Sequence, residues 1–148
     1  MEVLIDDRQN KHKISAKKIK KTARAILNAL DCPDGELSIL LVDDQQIAKL
    51  NTEYLNREGS TNVIAFPMRE GQFGDINPNL LGDVVISVET ACREGNALGI
   101  SMQKRFNQLL VHGILHLLGY DHEKTTKEAK RMEKRSKTLQ QVLDVNLD

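Results

Sequence analysis

The chain has 148 residues, 40% apolar and 28% charged, with 21 basic and 21 acidic side chains that cancel to a formal net charge of zero. That length suits a single domain, spanning 1–148, with a core large enough to need no disulfide staples, and the composition excludes disordered and fibrous classes. No apolar run approaches the roughly 20 residues of a membrane-spanning helix, and the start Met1-Glu2-Val3-Leu4-Ile5 lacks the basic segment of a secretory signal, so the expected location is the cytoplasm.

In chain order, Glu2 to Ile5 alternates polar and apolar and reads as an edge strand. Arg8 to Arg24 then holds eight basic residues and no acidic one, so overall neutrality hides a local basic face. Within it Ser15 caps a helix whose apolar positions Ile19, Ala23, Ile26, Leu27 and Leu30 recur at helical spacing. Glu36 to Val42 is a buried strand, and Asp43 with Gln46 forms a capping box for a helix carrying Ile47, Leu50 and Tyr54. A polar turn leads to the short strand Asn62 to Phe66, and Met68 to Asn79 is a loop. Leu81 to Val88 is the plainest strand, rich in β-branched residues, followed by a helix from Glu89 to Leu98 that Gly99 closes. Ser101 caps a helix running to Leu118 and stopping at Gly119, and Thr125 to Leu143, with few apolar residues, is expected to be a surface-packed terminal helix. The sum is an α+β fold of mixed α/β layers, with about four strands in a small mixed sheet covered by about five helices. Cys32 and Cys92 lie far apart without a Cys-x-x-Cys partner and read as reduced thiols.

Chemistry is concentrated in His112-Gly-Ile-Leu-His116-Leu-Leu-Gly119-Tyr-Asp-His122. On a helix, residues four apart share one face, so His112 and His116 suit one small cation. Gly119 can take the positive φ that ends the helix and returns His122 toward the same point, placing the metal site at a helix end and the following turn. Three neutral nitrogen ligands leave a fourth position of tetrahedral zinc open, as in catalytic sites, and predict one Zn2+ per chain and hydrolysis as its use. The same spacing occurs in metzincin peptidases, which need a glutamate directly after the first histidine as general base. Here that position is Gly113, which cannot accept a proton. Asp83, Asp121 and Glu123 are the candidate substitutes, and Asp121 is equally suited to orient a ligand histidine by accepting from its other ring nitrogen.

The whole string resembles the signature H-G-x-L-H-L-x-G-Y-D-H of the YbeY family, bacterial rRNA-maturation endoribonucleases. Ser60-Thr-Asn-Val-Ile-Ala-Phe-Pro67 is similar to that family's P-T-[DN]-V-L-S-F-P, and Leu81-Gly-Asp-Val-Val-Ile-Ser87 to its L-G-D-I-[VA]-I-S. The resemblance spans essentially the whole chain. It implies a zinc-dependent single-strand endoribonuclease acting in 3′-end maturation of small-subunit (16S) rRNA and in ribosome quality control, with His112, His116 and His122 as ligands. It also implies rRNA, the small ribosomal subunit and ribosome-associated proteins as partners. One departure concerns charge: the family commonly carries Tyr-Arg ahead of the P-T-[DN] segment, whereas Tyr54 is followed by Leu55, so either Arg57, two positions later, supplies the positive charge or the chain does without it. Ser60 likewise stands for the usual proline. With no tryptophan, two tyrosines and three phenylalanines, a broad stacking platform for bases is not expected, so recognition falls to electrostatics or to presentation by the ribosome. Two other readings fit the same residues: a metallopeptidase or other metallohydrolase with a different base, and a non-catalytic ribosome-assembly factor with structural zinc.

Overall fold

The capped amphipathic runs and the β-branched runs become helices and strands in the expected order. A computed structural model describes residues 2–68, 79–121 and 125–146. It contains β1 (Glu2–Asp7), α1 (Ala16–Ala29), β2 (Glu36–Val42), α2 (Asp44–Leu55), β3 (Val63–Pro67), β4 (Leu80–Ser87), α3 (Val88–Leu98), α4 (Met102–Leu117) and α5 (Thr126–Asn146). The expected loop from Met68 to Asn79 lies for the most part outside the described residues. No helix among the described residues is long and apolar enough to cross a membrane.

Local chemistry sets the helix starts as expected. The Ser15 hydroxyl accepts from the Lys18 amide at 3.2 Å, and Asp43 and Gln46 each accept from the other's backbone N–H at 2.8 Å. The sheet order is β1-β2-β4-β3; β1, β2 and β4 run parallel, and β3 pairs antiparallel with β4 at the edge. Side chains alternate across a strand, so β2 sends Leu37, Ile39 and Leu41 into the main core. The opposite face carries the smaller cluster of Val42, Ile47, Ile64 and Val85 beneath α2.

In β4 the alternation is interrupted once. Glu36 pairs with Leu80 but Leu37 pairs with Gly82, so Leu81 is an extra residue. The bulge lets Leu81 enter the main core along with Val84 and Ile86. Gly82 beside it has φ +136°, and a Cβ there would overlap the Phe66 carbonyl oxygen of β3.

The terminal helix departs from expectation. Its apolar residues are sparse, yet Met132, Leu139 and Leu143 are 2%, 1% and 3% exposed and belong to the main core. Spacings of seven and four residues align them on one stripe, which packs against α1 and α4. Arg135 adds a hydrogen bond to the Ala29 carbonyl at 3.2 Å.

A polar cluster joins α2 to the end of β4 and the start of α3. The Asp44 carboxylate accepts from Ser87 Oγ at 2.6 Å, from Thr90 Oγ1 at 2.5 Å and from Arg93 at 2.8 Å. Partial burial pushes the Asp44 carboxyl up, but these three donors and the Arg93 charge outweigh it and hold its pKa below the ordinary 3.8. A carboxylate depressed in the folded state contributes stability that is present above its unfolded pKa and lost as pH falls through the folded value. Asp44→Asn is therefore expected to cost about 1–2 kcal/mol at neutral pH. In urea unfolding followed from pH 7 downward, the gap between wild type and variant should hold until pH 3.8 is approached and then close; a gap independent of pH would refute this account.

Candidate active site

α4 begins at the Ser101 cap, whose hydroxyl accepts from the Lys104 amide at 3.0 Å, and buries Phe106, Leu109, Leu110, Ile114 and Leu117. That stripe lies against the sheet and α5, which leaves His112 and His116 on the flank beside β3. Their Nε2 atoms converge to 3.1 Å, with ring centroids 4.7 Å apart. Two nitrogens sharing a tetrahedral zinc at Zn–N ≈ 2.0–2.1 Å stand about 3.3 Å apart, so this pair fits a common cation of that kind. Among the described residues no group of three ligating side chains completes a metal site. The expected third ligand His122, and Glu123 with it, lie outside the described residues.

The chain does turn where expected. Gly119 has φ +96°, its amide donates to the His116 carbonyl at 3.1 Å, and the Tyr120 amide donates to the Leu115 carbonyl at 3.0 Å. These two bonds form a Schellman motif, which ends α4 and reverses the backbone just past the histidine pair. Arg131 of α5 stacks 4.4 Å over the Tyr120 ring and ties this turn to the terminal helix.

The histidines open into a cleft of about 470 Å³ bordered also by Leu55, Arg57, Thr61, Val63 and Asp121. Four of the residues singled out from sequence, Arg57, His112, His116 and Asp121, thus meet in one place. Leu55, standing where the related motif carries arginine, borders the same cleft as Arg57, so charge two positions later still reaches it. The Arg57 backbone is set by α2: Asn56 takes the left-handed conformation at φ 54°, and the Arg57 amide donates to the Asn51 carbonyl at 3.2 Å.

Asp83 is not part of this cleft. It lies on β4 with its side chain on the other face of the sheet, in a separate concavity with Leu4, Ser38, Tyr54 and Phe66. The reason is strand alternation: Val84, its neighbour, faces α4, so Asp83 must face away. As a base for chemistry at the histidines it is excluded by the thickness of the sheet.

Glu94 and Arg105, and the part Asn62 plays with them, are not legible in the sequence. The Asn62 carbonyl accepts from the Ser87 amide at 3.0 Å, and its side chain donates to Glu94 Oε1 at 3.2 Å, which also accepts from Arg105 Nε at 3.1 Å. This chain of bonds holds the start of β3 against α3 and α4, forming one wall of the cleft. Only the pairing across 32 positions reveals it; no local pattern does.

Gly113 fixes the distance between α4 and the sheet. A Cβ there would stand 2.6 Å from Val84 Cγ1 and 3.3 Å from Val63 Cγ2. The position faces the sheet, so a glutamate at 113 would be driven into Val84, and the missing peptidase base is a matter of space as well as chemistry. Gly113→Ala should overpack this contact and cost about 1–3 kcal/mol in denaturant unfolding. Adding Val84→Ala should recover part of that loss; strictly additive effects in the double variant would show that the contact does not set the spacing.

Similarity to known proteins bears on this cleft. A family model described as "Endoribonuclease YbeY" matches residues 4–144. A Geobacter sulfurreducens protein named endoribonuclease YbeY is 46% identical over 145 residues, 97% of either chain. One of the same name from Syntrophotalea carbinolica is 48% identical over 136 residues, 91% of either chain. A solution structure of a Thermotoga maritima protein superposes with a TM-score of 0.66 at 21% identity, covering 95% of this chain and 88% of that one, which speaks to the fold alone.

Proposed function

The chain belongs to the endoribonuclease YbeY family, and from that membership we propose a zinc-dependent single-strand endoribonuclease acting in 3′-end maturation of 16S rRNA and in ribosome quality control. Hydrolysis of RNA phosphodiesters comes with the family. The zinc, the substrate RNA and the pathway are our reading. The observation that carries it is the 3.1 Å convergence of the His112 and His116 nitrogens in a cleft that Arg57 also borders.

His112 and His116, with His122 as third ligand, would hold the zinc, which supplies Lewis acidity toward a phosphoryl oxygen and lowers the pKa of water toward ~7. Every other part is the protein's own. Arg57 brings a fixed positive charge to a phosphodiester that gains negative charge as the bond breaks. Asp121, which borders the same cleft, would take a proton from the attacking water or orient an imidazole. The partners in this reading are rRNA in the small ribosomal subunit and ribosome-associated proteins, and the compartment is the cytoplasm. The peptidase reading loses its ground at Gly113, whose place against Val84 admits no base.

His112→Ala and His116→Ala are expected to lose at least ~100-fold in cleavage of single-stranded RNA and to fall below one zinc per chain by elemental analysis, with unfolding midpoints near wild type. Equal cleavage by purified variants would sink the metal mechanism. Arg57→Ala should lower kcat/KM by roughly 10–100-fold and Arg57→Lys by less, since lysine restores charge without the forked donors.

A further inference from the structure

His112 borders two clefts. The second, of about 580 Å³, lies between α4 and α5 and shares Asn62, Val63 and His112 with the first. Its volume is that of small-molecule sites in general, about 300–1,000 Å³. Its lining differs in kind from the first. Gln108, Gln140 and Gln141 contribute carboxamides and Ser136 a hydroxyl, while Leu109 and Val63 supply apolar wall. Each cation in it has a carboxylate beside it, Arg105 in a partly buried pair and Lys137 in an exposed one that solvent screens. Lys137 pairs with Glu133 at 3.3 Å, and Arg105 pairs with Glu94 at 3.1 Å. With a carboxylate beside each cation, the cleft has no surplus of positive charge to favour a phosphate. It suits a neutral planar group that has apolar faces and an edge of donors and acceptors.

Two details define the donors. Arg105 donates to Gln108 Oε1 at 2.8 Å, which leaves the Gln108 Nε2 to donate elsewhere. Gln140 Nε2 is sealed from solvent and has no hydrogen-bond partner among the described residues. A buried donor left unpaired costs free energy that an arriving acceptor restores. Gln140 borders the cleft, and the last torsion of glutamine is broad, so turning that N–H2 toward an arriving acceptor requires rotation about that one torsion.

We propose that the α4–α5 cleft binds one nucleobase of the RNA, adjacent to the phosphodiester at His112 and His116, with Gln140 and Gln108 reading its hydrogen-bonding edge. The inference rests on the endoribonuclease reading for the identity of the ligand. Bases of single-stranded RNA are free to splay out and be read on their edges, and a carboxamide matches a base edge in donors and acceptors. Leu109 and Val63 give the faces of the base apolar contact in a chain without tryptophan. Base preference next to the cut would then come from amides rather than from stacking.

The test uses the full chain in two experiments. In the first, the Gln140 and Gln108 side-chain amide resonances are followed by NMR while each of the four ribonucleoside 5′-monophosphates is titrated. Saturable shifts of these amides with at least one nucleotide, with the Gln108 shift lost in Gln140→Leu or, should that variant fold poorly, in Gln140→Met, support the proposal. No shift with any of the four overturns it. In the second, single-stranded oligoribonucleotides differing at the bases flanking the cut are compared. Wild type should show about tenfold variation in kcat/KM at one flanking position, arising mainly in KM, and Gln140→Leu and Gln108→Leu should bring that ratio toward one. An unchanged preference in both variants overturns the proposal. Nucleotide binding in the first experiment without any RNA cleavage in the second would leave the pocket standing and remove the endoribonuclease reading alone.

Discussion

α4 carries both imidazoles, and its position is decided by the contact of the Gly113 backbone with Val84 of β4. Because no Cβ intervenes, the helix lies close enough for Val63 and Val84 to pack on its backbone. That closeness brings His112 and His116 level with the start of β3, where Thr61 and Val63 form the facing wall. A helix one methyl group farther out would keep the two nitrogens together, since their spacing is internal to the helix, but would move them away from that wall and from Arg57. Interiors are close-packed and do not absorb such a change smoothly.

β4 is the second constraint, acting from both ends. At its start the Leu81 bulge and the left-handed Gly82 reset the alternation, so that Leu81 joins Val84 and Ile86 in the core. At its end Ser87 caps α3, donates to Asp44 and receives the Asn62 carbonyl through its own amide. The strand thus holds α2, α3 and β3 in fixed relation. Arg57 hangs from the end of α2 and the cleft wall from β3, so the geometry around the histidines is inherited from β4 although no β4 side chain borders their cleft.

Charge is divided between the two clefts that meet at His112. One is bordered by Arg57, Asp121 and the imidazoles. The other has its cations matched by Glu94 and Glu133 and offers amides instead. A nucleotide has both kinds of surface, a charged phosphate and a neutral edged base, and the junction at His112 places the two environments side by side. α5 makes this division: its core stripe of Met132, Leu139 and Leu143 docks it on α1 and α4, which puts Ser136, Lys137 and Gln140 over the flank of the histidine helix.

What depends on neighbours along the chain is legible in the residues alone. Capping by Ser15, the Asp43–Gln46 box and Ser101, the i and i+4 pairing of His112 with His116, and the Gly119 turn are each satisfied within a few residues, so their physics is written locally. The three matching segments also carried the family. Tertiary structure decided what depends on which face a side chain takes and what comes to lie opposite. It put Asp83 across the sheet from the histidines, because a strand's alternation has no sign until something packs on it. It turned the charged tail into a core helix, because three apolar residues suffice when two helices offer a groove. It brought Leu55 and Arg57 to the cleft of His112 and His116, joined Asn62 to Glu94, and set Gln140 in one cleft with His112. Those pairings span tens of residues along the chain, and only the packed sheet and helices bring them within reach of one another.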